Sequence, residues 1–209
     1  FVVFTTYNFN EKKKNLSIIF PIKEIIIENT LAVDLIKLKA EIKFLRNTSL
    51  FFLKKKEITK VIDRHEFISS IKLKKKYPNT LKIVVTENIP VATEINEKKK
   101  YYLTQKGKKI SYIDIKIFKN LPVIFGNHKN FSSFFYKLKK SNFNINEIKA
   151  FYYFDIGRWD ITLKDNRTIK LPKINYEDIL TEVNLVLNNS SFSKYKIFDY
   201  RIKDQLILQ

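Results

Sequence analysis

The chain has 209 residues, 44% hydrophobic and 14% aromatic, enough for one large or two small cores, which excludes wholesale disorder. Cysteine is absent, so disulfides, thiolate metal sites and a cysteine nucleophile are excluded. No apolar run approaches the roughly 18–20 residues a membrane helix needs. The formal charge of +19, from 40 Lys+Arg against 21 Asp+Glu, is of the kind that attracts nucleic acid or anionic lipid. Yet only five of the 40 are arginine, and Lys, Ile, Asn, Phe and Tyr, all with A/T-rich codons, fill just over half the chain. A biased genome produces that surplus whatever the function. Methionine is absent and the chain begins at Phe1, so an upstream segment is expected.

Residues 1–20 read as a membrane-proximal segment, opening on the apolar patch Phe1–Phe4 and carrying Lys12–Lys14. From Ile22 to Ile27 a β-branched run predicts a strand. Residues 33–46 predict an amphipathic helix with Val33, Ile36, Leu38, Ile42 and Leu45 on its apolar stripe. A second helix is expected over Lys54–Arg64, with Ile58, Val61 and Ile62 buried. Strands follow at Phe67–Leu73 and Leu81–Val85, the latter alternating apolar and polar as a half-buried strand does. Pro90 marks a boundary, and the chain reads as two small α+β domains joined near 90–97. Beyond it the pattern is mostly β: Tyr101–Thr104, a Gly107 turn, Ile110–Ile117 with isoleucines at alternate positions, and Leu121–Gly126. A helix over 130–140 would pack Phe131, Phe134, Phe135 and Leu138. Strands are expected at Ile145–Phe154, Trp159–Leu163 and Thr168–Leu171. Asn175 is placed to cap a helix running through Ile179, Val183, Val186 and Leu187. Tyr195–Arg201 and Leu206–Gln209 read as a terminal strand pair.

Catalytic chemistry has little to draw on, and no catalytic, metal or cofactor site is expected. His65 and His128 stand 63 residues apart in the sequence, outside any metal-binding spacing, and read as surface or helix-end residues. Gly107, Gly126 and Gly157 are too dispersed for a phosphate loop. Asp63 and Glu66 could form a carboxylate pair, but Lys60 and Arg64 beside them read as ordinary helix-surface ion pairing. The lysine runs 12–14, 54–56, 74–76 and 98–100 fall at element ends and turns, where solvated charge is expected; no nucleic-acid partner follows from them.

Residues 77–92, Tyr-Pro-Asn-Thr-Leu-Lys-Ile-Val-Val-Thr-Glu-Asn-Ile-Pro-Val-Ala, carry more information. They resemble the aromatic-P-x-T-L-x-I-x-V-x-E-x-x-P-x-A segment of POTRA domains in the FtsQ/DivIB bacterial division proteins. Further landmarks follow in family order: Ile22 to Asn29, Gly107, Leu121-Pro122-Val123-Ile124-Phe125-Gly126, Arg158 to Leu163 with Asn166, and Asp199-Tyr200-Arg201-Ile202. Departures include Thr104 for an aspartate, Glu66-Phe67-Ile68 for Pro-Trp-Val, Lys74 for an arginine and Ile202 for a tyrosine.

The resemblance implies an α+β fold: a POTRA domain (β-α-α-β-β) over 21–93, then a mostly antiparallel β domain with two helices over 94–209. It implies an upstream helix crossing the inner membrane once, with this region in the periplasm at the division septum. It implies a non-catalytic divisome scaffold without cofactors, binding FtsB-like, FtsL-like and other septal proteins and helping control septal peptidoglycan synthesis. The alternatives are a POTRA-containing outer-membrane assembly or secretion protein and a lysine-rich nucleic-acid binder. A C-terminal strand that ends a sheet offers unpaired N–H and C=O groups to another chain. On that edge Tyr200, Ile202, Leu206, Ile207 and Leu208 are the expected apolar contacts. Arg158 and Arg201 are expected to fork onto partner carboxylates. Without the resemblance, Leu206–Leu208 would read as packing inward.

Overall fold

The computed structural model describes residues 19–96, 99–126 and 129–209. All but the last two residues of the expected membrane-proximal segment, and His128, lie outside the described residues. The chain divides between Asn88 and Ile89 into two units. The strand Pro90–Asn96, which spans the boundary read after residue 93, pairs wholly within the second unit.

The first unit runs β1 (Glu24–Glu28), α1 (Leu35–Glu41), α2 (Lys55–Ile62), β2 (Ile68–Lys76) and β3 (Thr80–Glu87). Its sheet has the order β1-β3-β2, with β1 parallel and β2 antiparallel to the central β3. Leu81, Ile83 and Val85 alternate along β3 and are buried, so one sheet face is apolar. Leu38, Ile42, Ile58 and Ile62 bring the helices' share of the core. Asp34 caps α1, its carboxylate accepting from the N–H of Ile36 and Lys37 at 3.0 Å. The helix expected over 33–46 is shorter, giving way to a tight 3-10 turn at Lys43–Leu45. Ile36, expected on the apolar stripe, is 84% exposed. It lies two residues from Leu38, about 200° around the helix, and so faces away. His65 is bonded to Glu41 at 2.8 Å.

The second unit contains β4 (Pro90–Asn96), β5 (Lys99–Thr104), β6 (Lys109–Ser111), β7 (Val123–Phe125), α3 (Phe131–Lys140) and β8 (Ile148–Phe154). It continues with β9 (Arg158–Leu163), β10 (Thr168–Lys170), α4 (Glu177–Asn188), β11 (Ile197–Asp199) and β12 (Ile207–Leu208). Nine strands form one sheet in the order β12-β11-β10-β9-β8-β7-β4-β5-β6. Its pairings are mainly antiparallel, with parallel ones at β4–β7, β7–β8 and β10–β11. Register aligns Ile124, Phe151, Ile161, Ile169 and Phe198 in a row across five strands, all fully buried, with Leu208 at its end. Phe131, Phe134 and Leu138 of α3 and Leu180 and Val183 of α4 join the same core. Trp159 stacks on Phe134 at 4.7 Å.

Two local expectations change here. The strand expected over 110–117 stops at Ser111, and a 3-10 turn occupies Lys116–Phe118. Ser111 lies opposite Tyr101 and β5 begins at Lys99, so the partner offers positions only as far as 113 and none for the rest of the segment; Ile113 and Ile117 end up more than half exposed. Asn175 does not cap α4. It takes a left-handed conformation (φ 56°), which Asn tolerates, and turns the chain into the helix one residue before the cap position at Tyr176.

Candidate partner-binding edge

The C-terminal margin of the nine-stranded sheet is β12. It is antiparallel to β11, with Ile207 opposite Asp199 and Leu208 opposite Phe198, and has no second neighbour among the described residues. Gln209 and Ile197 exchange two backbone hydrogen bonds, N–H to O at 3.1 and 2.9 Å. Bonded and non-bonded positions alternate along an antiparallel pair, so the N–H and C=O of Leu208 point away from β11, toward the open side. β11 is anchored in turn on β10, with the N–H of Tyr200 donating to Lys170 O at 2.9 Å.

Register also builds the sheet face opposite the helices. Tyr152, Asp160, Lys170, Asp199 and Ile207 lie side by side across β8 to β12. Arg158 and Arg201 sit two residues from Asp160 and Asp199, hence on the same face. Arg201 grips Asp199: Nε donates to Oδ1 at 2.8 Å and Nη2 to Oδ2 at 2.6 Å, while its backbone N–H reaches Oδ1 at 3.1 Å. These bonds hold the Asp199 carboxyl below its ordinary value, against the opposing effect of burial. The Arg201 side chain remains 43% exposed. Arg158 is more enclosed, its Nε 3.2 Å from Asp160 Oδ1 and its guanidinium over the Phe154 ring at 4.3 Å. Asp160 shifts the other way: burial raises its pKa more than Arg158, Arg201 and Lys170 lower it.

Beside the edge, the β11–β12 connection and the start of α4 enclose a cleft of about 720 Å³. Tyr200, Arg201, Ile202 and Leu206 line it on one side, Ile179 and Glu182 on the other. Tyr200 is only 4% exposed and belongs to the core, so it does not present an apolar surface; its buried hydroxyl has no hydrogen-bond partner among the described residues. Burial first, and the Glu182 charge second, push its pKa up to about 12, so it stays a neutral donor. Ile202 is 51% and Ile207 38% exposed, whereas Leu206 and Leu208 are partly buried and pack against the core. The expected residues therefore separate into outward (Arg201, Ile202, Ile207), inward (Tyr200, Leu206, Leu208) and Arg158, which is committed to Asp160.

Asp160 and Lys170 are not site candidates in the sequence, and Asp199 enters there only as a landmark of the resemblance. Their signal was present as Arg-x-Asp at 158–160 and Asp-x-Arg at 199–201, the two-residue spacing that puts both charges on one face of a strand.

The β-α-α-β-β element order of the first unit coincides with a family match. Residues 20–88 match the family described as POTRA domain, FtsQ-type. This region is an FtsQ-type POTRA domain. Over a longer span, the chain is 29% identical to the cell division protein FtsQ of Rickettsia typhi across 194 residues, 91% of this chain and 73% of the relative. FtsQ of Rickettsia prowazekii is 27% identical over 91% of this chain and 72% of its own length. FtsQ of Blochmanniella floridana is 28% identical over 56% of this chain and 46% of its own. The resemblance to the FtsQ family thus extends beyond the POTRA domain into the nine-stranded sheet.

Proposed function

We propose that this FtsQ-like chain is a non-catalytic scaffold of bacterial cell division that takes up an extended partner segment on β12. The observation that carries the reading is the sheet margin itself: among the described residues β12 is bonded on one side only, with the Leu208 N–H and C=O turned outward. Main-chain bonds at such an edge supply affinity and side chains at alternate positions supply specificity. Ile207 and Ile202 offer apolar contacts, and the exposed Arg201 guanidinium receives a partner carboxylate. The partner is an FtsB-like protein, with FtsL-like and other septal proteins assembled through it, and the consequence is control of septal peptidoglycan synthesis. The chain works in the periplasm beside the inner membrane, held by an upstream helix; among the described residues no helix is long and apolar enough to cross a membrane.

The test is calorimetric titration with an FtsB-like periplasmic peptide. Ile207→Asp places an acid on the exposed position of the edge and is expected to weaken binding at least about tenfold, equivalent to ~1.4 kcal/mol. Arg201→Lys retains a charge beside Asp199 but loses the planar fork, and is expected to weaken binding to an acidic peptide. Unchanged affinity in both variants overturns the proposal.

A further inference from the structure

The first unit carries a second unpartnered surface, unrelated to the strand edge. Ile19 and Phe20 pack beside the loop that follows the 3-10 turn: Leu50 N–H donates to Phe20 O at 2.8 Å and Ser49 Oγ to Ile19 O at 2.6 Å. The Phe20 ring meets Tyr77 edge-on at 5.0 Å, and Phe51 meets Phe52 in the same way at 5.1 Å. Lys75 Nζ ties the two groups together by donating to Phe51 O at 2.8 Å. These five apolar side chains are exposed by 40% (Ile19), 41% (Phe20), 56% (Phe51), 51% (Phe52) and 51% (Tyr77). An exposed patch of this kind is where a soluble domain meets something else.

Its border is one-sided in charge. The loop side contributes Lys54, Lys55 and Lys56, and the end of β2 contributes Lys75, all exposed; Lys74 and Lys76 alternate to the other face of the strand. Residues 42–56 and 67–86 contain no Asp or Glu. Of the acids flanking these segments, Glu57 accepts from the Lys54 N–H at 3.3 Å and Glu24 from Thr80 Oγ1 at 3.1 Å. None of these four border lysines has a carboxylate within ion-pair distance among the described residues.

We propose that this face of the first unit rests on an anionic bilayer surface. Aromatic and aliphatic side chains at the centre enter the headgroup region, and the lysine border faces lipid phosphates. Nucleic acid fits the surface less well. The rings pack edge to face in pairs, so they do not form the parallel platforms on which bases stack, and the cations are lysines without the forks that read phosphate and base together. The inference stands on the first unit alone and does not require partner binding at β12.

Vesicle flotation of the 209-residue chain tests it, with phosphatidylcholine vesicles prepared with and without phosphatidylglycerol. Binding is expected only to the anionic vesicles and is expected to fall at high salt. Each lysine near such a surface is worth about fivefold in partition, so the triple variant Lys54→Glu, Lys55→Glu, Lys56→Glu is expected to lose at least about 100-fold. Acids at those positions suit the start of α2, so the variant is expected to fold. Phe51→Ser with Phe52→Ser removes the apolar part and is expected to reduce binding at unchanged charge. A control of equal charge change, Lys106→Glu, Lys139→Glu, Lys140→Glu, is expected to bind within a few-fold of the parent. Absence of binding to anionic vesicles, equal loss in the two lysine triples, or a patch that governs binding to a DNA duplex but not to vesicles overturns the proposal. FtsB-like peptide binding by the same variants is expected to be unchanged, so failure of one proposal is distinguishable from failure of the other.

Discussion

Asp160 and Asp199 occupy neighbouring strands at similar burial, 5% and 4% exposed, yet their carboxyls shift in opposite directions. The difference is geometric. Arg201 meets Asp199 with three hydrogen bonds from its side chain, whereas Arg158 gives Asp160 one long bond, Nη2 to Oδ2 at 3.5 Å, with its Nε unaligned on Oδ1, so burial prevails at Asp160. The consequences for stability have opposite sign. Asp199 has its pKa depressed on folding, so its stabilisation is present above the ordinary carboxylate value near ~4 and is lost as the pH falls through the lower folded value. Asp160, with its pKa raised, favours the fold when protonated and loses that contribution as the pH rises through the folded value. Thermal melts from neutral pH into acid should therefore show a smaller acid-induced loss of Tm for Asp199→Asn than for the parent chain. An equal or larger loss in the variant would remove Asp199 from the account. Gly126 makes a different residue-level point. It has φ +91° and a Cβ there would meet Tyr153 O at 2.3 Å, so the glycine of the Leu-Pro-x-Ile-x-Gly stretch is required by the approach of the β8 backbone. The sequence shows the glycine and its resemblance; only the fold shows what it avoids.

Glu87 acts on whole elements. It ends β3, and its carboxylate accepts the N–H groups of Leu31 at 2.8 Å, Ala32 at 3.0 Å and Val33 at 3.0 Å, tying the loop before α1 to the centre of the sheet. Leu31 and Glu87 are 56 residues apart in the chain, so the glutamate in the Tyr77–Ala92 signature reads from sequence only as a landmark. Charge-assisted bonds of this kind carry about 1.5–3 kcal/mol. Glu87→Ala is expected to cost the first unit about 2 kcal/mol in denaturant melts, and Glu87→Gln, which keeps one acceptor oxygen, less. Equal stability of Glu87→Ala and the parent would show that the loop is held by other contacts. Elements with strong alternation or helical spacing, such as β3 and α3, were legible because their own sequence encodes the buried face. The 110–117 segment was not, because a strand also needs a neighbour and β5, which begins at Lys99, supplies none beyond position 113.

At the scale of the molecule, the division at Asn88/Ile89 separates a three-stranded sheet from a nine-stranded one. Trp159, the only tryptophan, is buried in the second unit and reports on it alone. Ile83 is 1% exposed in the first unit, so Ile83→Ala is expected to cost about 3 kcal/mol there. In urea titrations that loss should move the far-UV dichroism transition while leaving the Trp159 fluorescence midpoint in place. A shared shift of both signals would mean that the units unfold as one. By itself the sequence determined most of the order of elements (β4 fell within the junction read at 90–97), the apolar rows of the cores, the resemblance to FtsQ and the terminal strand pair. All of these depend on residue type and on spacing along the chain. Tertiary structure alone decided that β12 lies at the sheet margin, that Tyr200 turns inward while Arg201 stays outside, and that Phe20, Phe51 and Tyr77 share a face. Those are neighbourhoods between segments distant in sequence, set by strand register and by loop paths that no local pattern specifies.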